Sequence, residues 1–181
     1  MTREKGRTKL LLPVTEQDHT QGLANAPVTL VEYGDFECPY CGKAYFIIRD
    51  IQEFFGDRLR FVFRNFPLTE AHRNAENAAE AAEAAAEQGK FWEMHDQLFE
   101  HQRALTKEYL LKYAQVLNLD IERFKQDLDR RTFARLVHED FIGGVRSGVE
   151  GTPTFFINGV RHDDSFEFAT LLAAIEAAMP K

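Results

Sequence analysis

The sequence predicts an α/β fold in which a βαβ unit and a later ββα unit are separated by an α-helical insertion. Two strand-like segments, residues 26–33 and 59–64, flank a helical segment. Residues 70–147 then show helical patterns alone, and a strand, a tight turn and a helix follow them. Strands and helices in this order predict a sheet with parallel pairing and with helices packed against it.

The first strand and the helix after it are predicted by their apolar residues. Residues 26–33 are mostly β-branched, aliphatic or aromatic, which predicts a strand buried on both faces. Glu32 is the exception within it. Apolar side chains then recur at helical spacing up to Gly56, which is placed to end a helix; they are Ala44, Ile48, Ile51 and Phe55.

A second strand and a helical block follow. Leu59, Phe61 and Phe63 alternate with other residues up to Pro67, as expected of a strand. A helix between two neighbouring strands implies that the strands are parallel. The Ala- and Glu-rich residues 75–87 then begin a series of helices, in which Asp120 is a candidate N-cap.

The last unit is predicted from a short apolar strand at residues 154–157. Asn158-Gly159 is a strong hairpin signal, and Ser165 is placed to cap a final helix. We therefore expect four parts: an N-terminal arm at 1–24 with a short strand at 9–12, the first part of the core at 25–68, the helical insertion at 69–147, and the second part of the core at 148–181.

Composition excludes several classes of protein. The chain has 181 residues, 44% of them hydrophobic, which suits one domain with a packed core. Its formal net charge of −7 argues against nucleic acid or anionic membrane as the main partner. No stretch approaches about 18 apolar residues, and no signal peptide is visible. We expect a cytoplasmic protein as the chain stands, or a periplasmic or extracytoplasmic one if a leader was removed.

The two cysteines, Cys38 and Cys41, carry the candidate chemistry. They lie where the first strand meets the first helix, so Cys38 falls at the helix N-cap and Pro39 in the first turn. The free N–H groups and the dipole at a helix start favour a thiolate. In such surroundings a thiol pKa near 8.5 falls to roughly 3.5–7.5. We predict that Cys38 attacks and that Cys41, one turn inward, resolves the mixed disulfide.

Other interpretations of the pair stay open. Structural zinc usually needs four ligands, whereas the sequence has one CxxC and six scattered His, so we expect no metal. An inert buried thiol pair is the second alternative. Cys41 must lose a proton before it resolves, and Glu32 on the preceding strand is a candidate base through bound water. The alternative for Glu32 is a solvent-facing or salt-bridged carboxylate, with Arg64 as a possible partner.

Three segments together resemble the DsbA-like branch of the thioredoxin superfamily. They are residues 31–42 (VEYGDFECPYCG), 63–68 (FRNFPL) and 151–159 (GTPTFFING), and the similarity covers roughly residues 20–178. It implies a thioredoxin-like fold interrupted by a helical insertion. It also implies that Pro153 is cis and faces the reactive thiol, that Thr152 tunes the site and contacts substrate, and that Glu32 is the buried acid. The alternative for Pro153 is an ordinary proline at a strand entry.

The resemblance implies thiol–disulfide exchange with protein or peptide substrates, an unidentified redox partner and no cofactor. The dipeptide Pro39-Tyr40 replaces the Pro-His of many oxidising members, so oxidase, reductase and isomerase directions stay open. A different class is a chaperone-like module that grips extended polypeptide through the Pro153 loop and Tyr40. A glutathione-dependent transferase or isomerase on the kappa-type scaffold is a further alternative, against which Cys41 argues.

Overall fold

The computed structural model describes residues 8–180; residues 1–7 of the predicted arm and residue 181 lie outside the described residues. Within this range five strands and seven α-helices confirm the α/β class. The strands are β1 (His19–Gln21), β2 (Val28–Gly34), β3 (Leu59–Asn65), β4 (Thr154–Ile157) and β5 (Val160–His162). The helices are α1 (Pro39–Phe55), α2 (Ala75–Ala86), α3 (Phe91–Glu100), α4 (Lys107–Val116), α5 (Ile121–Arg130), α6 (Ala134–Arg146) and α7 (Phe168–Ala177).

One sheet organises these elements, with the strand order β1-β3-β2-β4-β5. The central strand β2 pairs in parallel with β3 and antiparallel with β4. The units β2-α1-β3 and β4-β5-α7 are the predicted βαβ and ββα units, and α2 to α6 lie between them in the chain. The start of α1 therefore follows the carboxyl end of the middle strand.

The two faces of the sheet pack against different partners because strand side chains alternate. On one face Leu30 and Phe61 pack in the main core with α1 and α7, through residues such as Ile51 and Leu171. On the opposite face a smaller cluster contains Val31, Tyr33, Val62, Phe66, Val149 and Phe156. The sheet is thus covered on both sides, which explains the nearly continuous apolar sequence of β2.

The alternative in which Glu32 forms an ion pair with Arg64 is wrong. The strand register sets Glu32 beside Phe63 and Tyr33 beside Arg64, so the two charged side chains extend to opposite faces. Arg64 instead forms two hydrogen bonds with Asp18, at 2.7 and 3.0 Å, and one with the Tyr33 hydroxyl at 3.0 Å. This buried guanidinium binds the segment before β1 to the sheet.

Local structure in the N-terminal arm differs from the prediction. The expected strand at 9–12 is wrong: only Lys9 forms an isolated bridge, to Val160, before the chain reaches Pro13. The arm instead contains β1, which pairs antiparallel with β3. A three-residue edge strand of polar residues has no hydrophobic alternation, so the sequence offered no signal for it.

Helix and turn signals were more reliable, with one error. Asp120 caps α5 by accepting a hydrogen bond from Arg123 N at 3.0 Å, as predicted. Asn158 and Gly159 both have positive φ, as the hairpin between β4 and β5 requires. Ser165 does not cap α7, because the helix begins two residues too late for its hydroxyl; Ser165 Oγ accepts from Glu167 N instead. Across residues 8–180, no helix has the length and apolar character needed to cross a membrane.

Candidate active site

Cys38 is the N-cap residue of α1, as predicted. Its backbone is extended (φ −69°, ψ 122°), Pro39 occupies the first helical turn, and the Cys38 carbonyl accepts the hydrogen bond from Gly42 N at 3.0 Å. Proline fits here because the first turn has no intrahelical use for its missing N–H. The side chain of Cys38 therefore lies at the positive end of a 17-residue helix.

The surroundings of the Cys38 sulfur favour the thiolate. A hydrogen bond from the Cys41 thiol is the largest cause, burial opposes it, and the Thr152 side chain and the backbone N–H groups of Cys41 and Tyr40 add to it, so that the pKa of Cys38 falls to about 5. Only 3% of Cys38 is exposed. A sulfur with this pKa is almost entirely anionic near neutral pH.

Cys41 has the opposite electrostatic environment. It is fully buried, and its sulfur accepts a hydrogen bond from Asp35 N at 3.4 Å. Burial, the hydrogen bond to Cys38 and the negative charges of Glu32 and Cys38 raise the pKa of Cys41 well above its ordinary value. Both cysteines are free thiols, so the structure corresponds to the reduced form. The Cys38 thiol is therefore ionised near neutral pH, and the Cys41 thiol keeps its proton.

Glu32 lies within the core beneath this pair. It is 2% exposed, on the face of β2 that packs against α1, and its strand neighbours are Phe63 and Phe155. Its Oε1 atom has no hydrogen-bond partner among residues 8–180. Burial, with the charge of Cys38 as a second cause, raises the pKa of Glu32 to about 8. A carboxyl of this kind can both hold and release a proton near neutral pH.

The raised pKa of Glu32 predicts a pH-dependent gain in stability for Glu32→Gln. The folded state keeps a proton on Glu32 up to about pH 8, whereas the unfolded state loses it near the ordinary glutamate pKa of 4.5. Stability therefore falls as pH rises between these values, and removing the carboxyl removes the fall. We expect the reduced variant to gain about 3 kcal/mol in free energy of unfolding at about pH 7 and none below about pH 4.

Urea unfolding of both reduced proteins at the two pH values measures this gain. Glu93→Gln is the matched control, since Glu93 is half exposed on α3 and should change little at either pH. A difference between wild type and Glu32→Gln that does not vary with pH would contradict the buried, protonated carboxyl.

The loop before β4 lies against the same sulfur. The peptide bond between Thr152 and Pro153 is cis, as the resemblance implies. The Cys38 sulfur lies 3.4 Å from the Thr152 carbonyl oxygen, to which it donates only while it carries a proton, and the buried Thr152 hydroxyl has no other partner in the described part of the chain. Tyr40, in contrast, is 66% exposed and extends outward beside the site. The structure thus brings five predicted residues together around the start of α1: Cys38, Cys41, Glu32, Thr152 and Pro153.

Asp35 and His72 were missed by the sequence analysis. The buried Asp35 carboxylate accepts from Glu37 N at 2.8 Å and from Leu68 N at 2.9 Å, and lies 2.7 Å from His72 Nδ1. Burial lowers the pKa of His72, but the hydrogen bond and the negative charges of Asp35 and Cys38 outweigh it and raise the pKa. A protonated His72 adds positive charge near Cys38, which the Pro39-Tyr40 dipeptide lacks.

Gln102 is a second residue that the sequence did not indicate. Its side-chain Nε2 donates to the Phe36 carbonyl at 2.9 Å and to the Cys38 carbonyl at 2.8 Å. A Cβ at Gly42 would collide with the Gln102 side chain. The small residue after Cys41 therefore gives the amide access to the backbone of the dithiol loop.

Metal ligands are not grouped in the part of the chain that the structure describes. Nowhere in residues 8–180 do three or more His, Cys, Asp or Glu side chains come together in an arrangement that could hold a metal ion. Cys38 and Cys41 have each other, Thr152 and the helix start as neighbours instead. The arrangement suits sulfur chemistry.

Comparisons with known proteins agree with the geometry. A family model described as thioredoxin matches residues 14–177. In structure the chain is similar to oxidised BdbD from Bacillus subtilis (TM-score 0.80, 29% identity, 88% of this chain and 91% of that one). It is also similar to a thioredoxin-like oxidoreductase from Silicibacter pomeroyi (TM-score 0.80, 25% identity, 91% and 93%). These matches confirm the thioredoxin-like fold.

A longer protein is similar in sequence. The protein named Na⁺/H⁺ antiporter NhaA 1 from Salinispora arenicola is 49% identical over 175 residues, which are 96% of this chain and 27% of that protein. The chain thus spans about a quarter of the length of the curated relatives it matches.

Proposed function

The chain belongs to the thioredoxin family, in its DsbA-like branch, and on that premise we propose that it exchanges disulfides with protein or peptide substrates through Cys38 and Cys41. The observation that carries the proposal is the opposite ionisation of two adjacent sulfurs. The pKa of Cys38 is lowered to about 5, whereas that of the buried Cys41 is raised. Thiolates attack and low-pKa thiols leave readily, so Cys38 is suited to both directions of exchange.

The reaction takes two steps. The Cys38 thiolate attacks a substrate disulfide: a bond forms between Cys38 and one substrate sulfur, and the other substrate sulfur leaves with the electron pair and takes up a proton. Cys41 then loses its proton and attacks Cys38. The first substrate sulfur leaves as a thiolate, and an intramolecular disulfide remains. The enzyme is oxidised by two electrons and the substrate is reduced by two; the reverse sequence donates a disulfide.

Three neighbours have proposed roles in these steps. Glu32 is the base that accepts the proton of Cys41, because it is a carboxyl in the core beneath the pair and its charge influences the Cys41 thiol. The Thr152 hydroxyl stabilises the Cys38 thiolate, since it has no other partner in the described residues. The loop at Pro153 contacts the substrate chain, with the exposed Tyr40 beside it.

The contacts around the Cys38 sulfur also indicate which direction of disulfide exchange is favoured. Every group that lowers the pKa of Cys38 stabilises the reduced enzyme, because the disulfide form has no thiolate. A stabilised reduced form favours the donation of disulfides to substrates. We therefore infer an oxidising role, with reductase and isomerase roles as the alternatives. The curated relatives share with this chain only about a quarter of their length, so we assign exchange to the shared segment and not ion transport.

Equilibration of the full chain with glutathione buffers tests the proposal. After acid quenching and alkylation, mass spectrometry gives the fraction of chains that hold an intramolecular disulfide. We expect one two-electron transition, at a potential above the value of about −270 mV that is typical of thioredoxin. A lower potential would contradict the oxidising direction. A chain that forms no disulfide between Cys38 and Cys41 at any glutathione ratio would contradict exchange itself.

A further inference from the structure

A water-accessible cavity reaches the buried carboxyl from the side of α1 and α3. Its volume is about 570 Å³, and its lining includes Glu32 from β2 and His95 from α3. A water molecule takes up about 30 Å³ in the liquid, so the cavity is large enough for several. Glu32 therefore has a route to solvent that does not pass the two cysteines.

Two polar atoms along this cavity have no protein partner. Glu32 Oε1 and His95 Nε2 are both buried, and neither forms a hydrogen bond with any of residues 8–180. A buried polar atom left unsatisfied costs roughly 1–3 kcal/mol. Water in the cavity that both residues line can satisfy both atoms. The same water would connect the Glu32 carboxyl to the His95 imidazole through hydrogen bonds.

The two nitrogens of the His95 imidazole have different surroundings, one in the interior and one toward the surface. The residue is 4% exposed, and its Nδ1 atom lies 3.0 Å from Asp96 Oδ1. Asp96 has a side chain that is 46% exposed. The carboxylate fixes the imidazole proton on Nδ1, so Nε2 is an acceptor. One nitrogen can take a proton from the cavity while the other releases a proton toward solvent.

Packing holds the ring in this orientation. Its centroid lies 4.9 Å from those of Phe63 and Phe99 and 5.0 Å from that of Trp92. Burial in this aromatic cluster lowers the pKa of His95, against the hydrogen bond and charge of Asp96. The imidazole is therefore neutral near pH 7, with the Nε2 lone pair free to accept a proton.

We propose that His95 and Asp96 complete a proton path that connects Glu32 with solvent. The inference rests on the proposed function, because the proton in question is the one that Cys41 gives up. Cys41 transfers it to the Glu32 carboxylate, and water in the cavity carries it to His95 Nε2. The Nδ1 proton then passes to the Asp96 carboxylate and to bulk water. One proton leaves for each disulfide formed. Loss of the Nδ1 proton leaves a neutral imidazole with its proton on Nε2, and tautomerisation or ring rotation then restores the starting tautomer.

Other titratable groups face this path. They are Tyr45, Arg49, Asp50 and Glu53 from α1, and His19 from β1. Burial and nearby Asp96 and Glu100 raise the pKa of Tyr45, so this hydroxyl keeps its proton. Arg49 stays cationic. The α1 carboxylates Asp50 and Glu53 line the cavity together with Glu32, on the side away from the cysteines. His95 is thus the neutral proton acceptor on this path, and its burial holds the imidazole ring in place.

A stopped-flow experiment separates the two sulfur steps. The reduced full chain is mixed with an excess of a symmetrical peptide disulfide whose fluorescence increases when each peptide thiol leaves. The first release reports attack by Cys38, and the second reports attack by Cys41. Both rates are measured between about pH 6 and about pH 8 in wild type and in His95→Ala, Asp96→Asn and Phe99→Leu.

We expect His95→Ala to slow the second release about 10- to 100-fold near pH 6 to 7, at or below the lower end of the range typical of general acid–base catalysis, while the first release stays within about twofold. Added imidazole, which fits the open cavity, should restore the second rate in proportion to its concentration. Asp96→Asn should slow the same step to a smaller extent than His95→Ala does. Because Asp96 is half exposed, this second substitution leaves the core unchanged. Phe99→Leu, the matched control, perturbs the same aromatic cluster and should show neither the loss nor the rescue.

The outcomes of this experiment distinguish a failure of the proton path from a failure of the proposed exchange function. If the second release in His95→Ala and Asp96→Asn follows wild type at every pH while Glu32→Gln is slow, the path is wrong and the role of Glu32 stands. If Phe99→Leu is slowed as much as His95→Ala and imidazole restores neither, His95 serves packing alone. If wild type releases no peptide thiol, the proposed function itself fails.

Discussion

In the Cys38→Ser variant we expect thiol–disulfide exchange to fall to the rate of the uncatalysed reaction. A serine hydroxyl does not ionise near neutral pH and forms no disulfide. Cys41 cannot replace Cys38, because it is fully buried and its pKa is raised. The loss should be at least about 1,000-fold, within the range found when enzymes lose their nucleophile. Insulin reduction and oxidative refolding of a reduced substrate measure it.

The same variant also separates two functions. Circular dichroism and thermal unfolding should show that Cys38→Ser is folded, since the substitution changes one atom at the N-cap. Binding of an unfolded polypeptide to the variant can then be measured without exchange. Full exchange activity in Cys38→Ser would remove Cys38 from the mechanism. Loss of exchange with undiminished polypeptide binding would support the chaperone-like function as an additional one.

For Cys41→Ser we expect the opposite phenotype, the accumulation of mixed disulfides on Cys38. The first attack needs only the Cys38 thiolate and proceeds. The second needs a thiol held beside Cys38, and a neighbouring group of this kind has an effective concentration far above that of thiols in solution. Without it, the mixed disulfide persists until an external thiol reduces it. Mass spectrometry after reaction with a peptide disulfide should show one peptide per chain.

Loss of the Cys41 thiol should also weaken the first step. The largest cause of the low pKa of Cys38 is the hydrogen bond from Cys41, which serine replaces with a shorter and differently placed hydroxyl. We expect the pKa of Cys38 to rise, which alkylation rates as a function of pH will measure. Cys38→Ser treated in the same way should capture no peptide. Capture of peptide by Cys41 in that variant would contradict the assignment of attacking and resolving thiols.

Local signals account for what the sequence predicted. Cys38 and Pro39 define a helix start through residue type alone, and Asn158-Gly159 defines a turn because both residues accept positive φ. Glu32 was identified as a charge within an apolar strand. Its supposed partner Arg64 was wrong because a partner depends on strand register, which the sequence did not fix.

Long-range contacts account for what it did not predict. Asp35 meets His72 across 37 residues, and Gln102 meets the Cys38 carbonyl across 64. His95 lies in a helix whose pattern indicates only burial. Nothing in the local sequence of these residues distinguishes them from ordinary polar positions. The position of the helical insertion over the sheet brings them to the dithiol, and that position depends on tertiary packing.

The contact between Gly42 and Gln102 restricts how such sequences can diverge. Any side chain at position 42 would displace the amide that holds two carbonyls of the dithiol loop. Substitutions at the two positions are therefore not independent: a larger residue at 42 requires the flexible Gln102 side chain to move away, with loss of its two hydrogen bonds to the loop, or requires a smaller residue at 102. The helical insertion and the CxxC motif are thus coupled through this contact, and a change at position 42 alters how the insertion holds the dithiol loop.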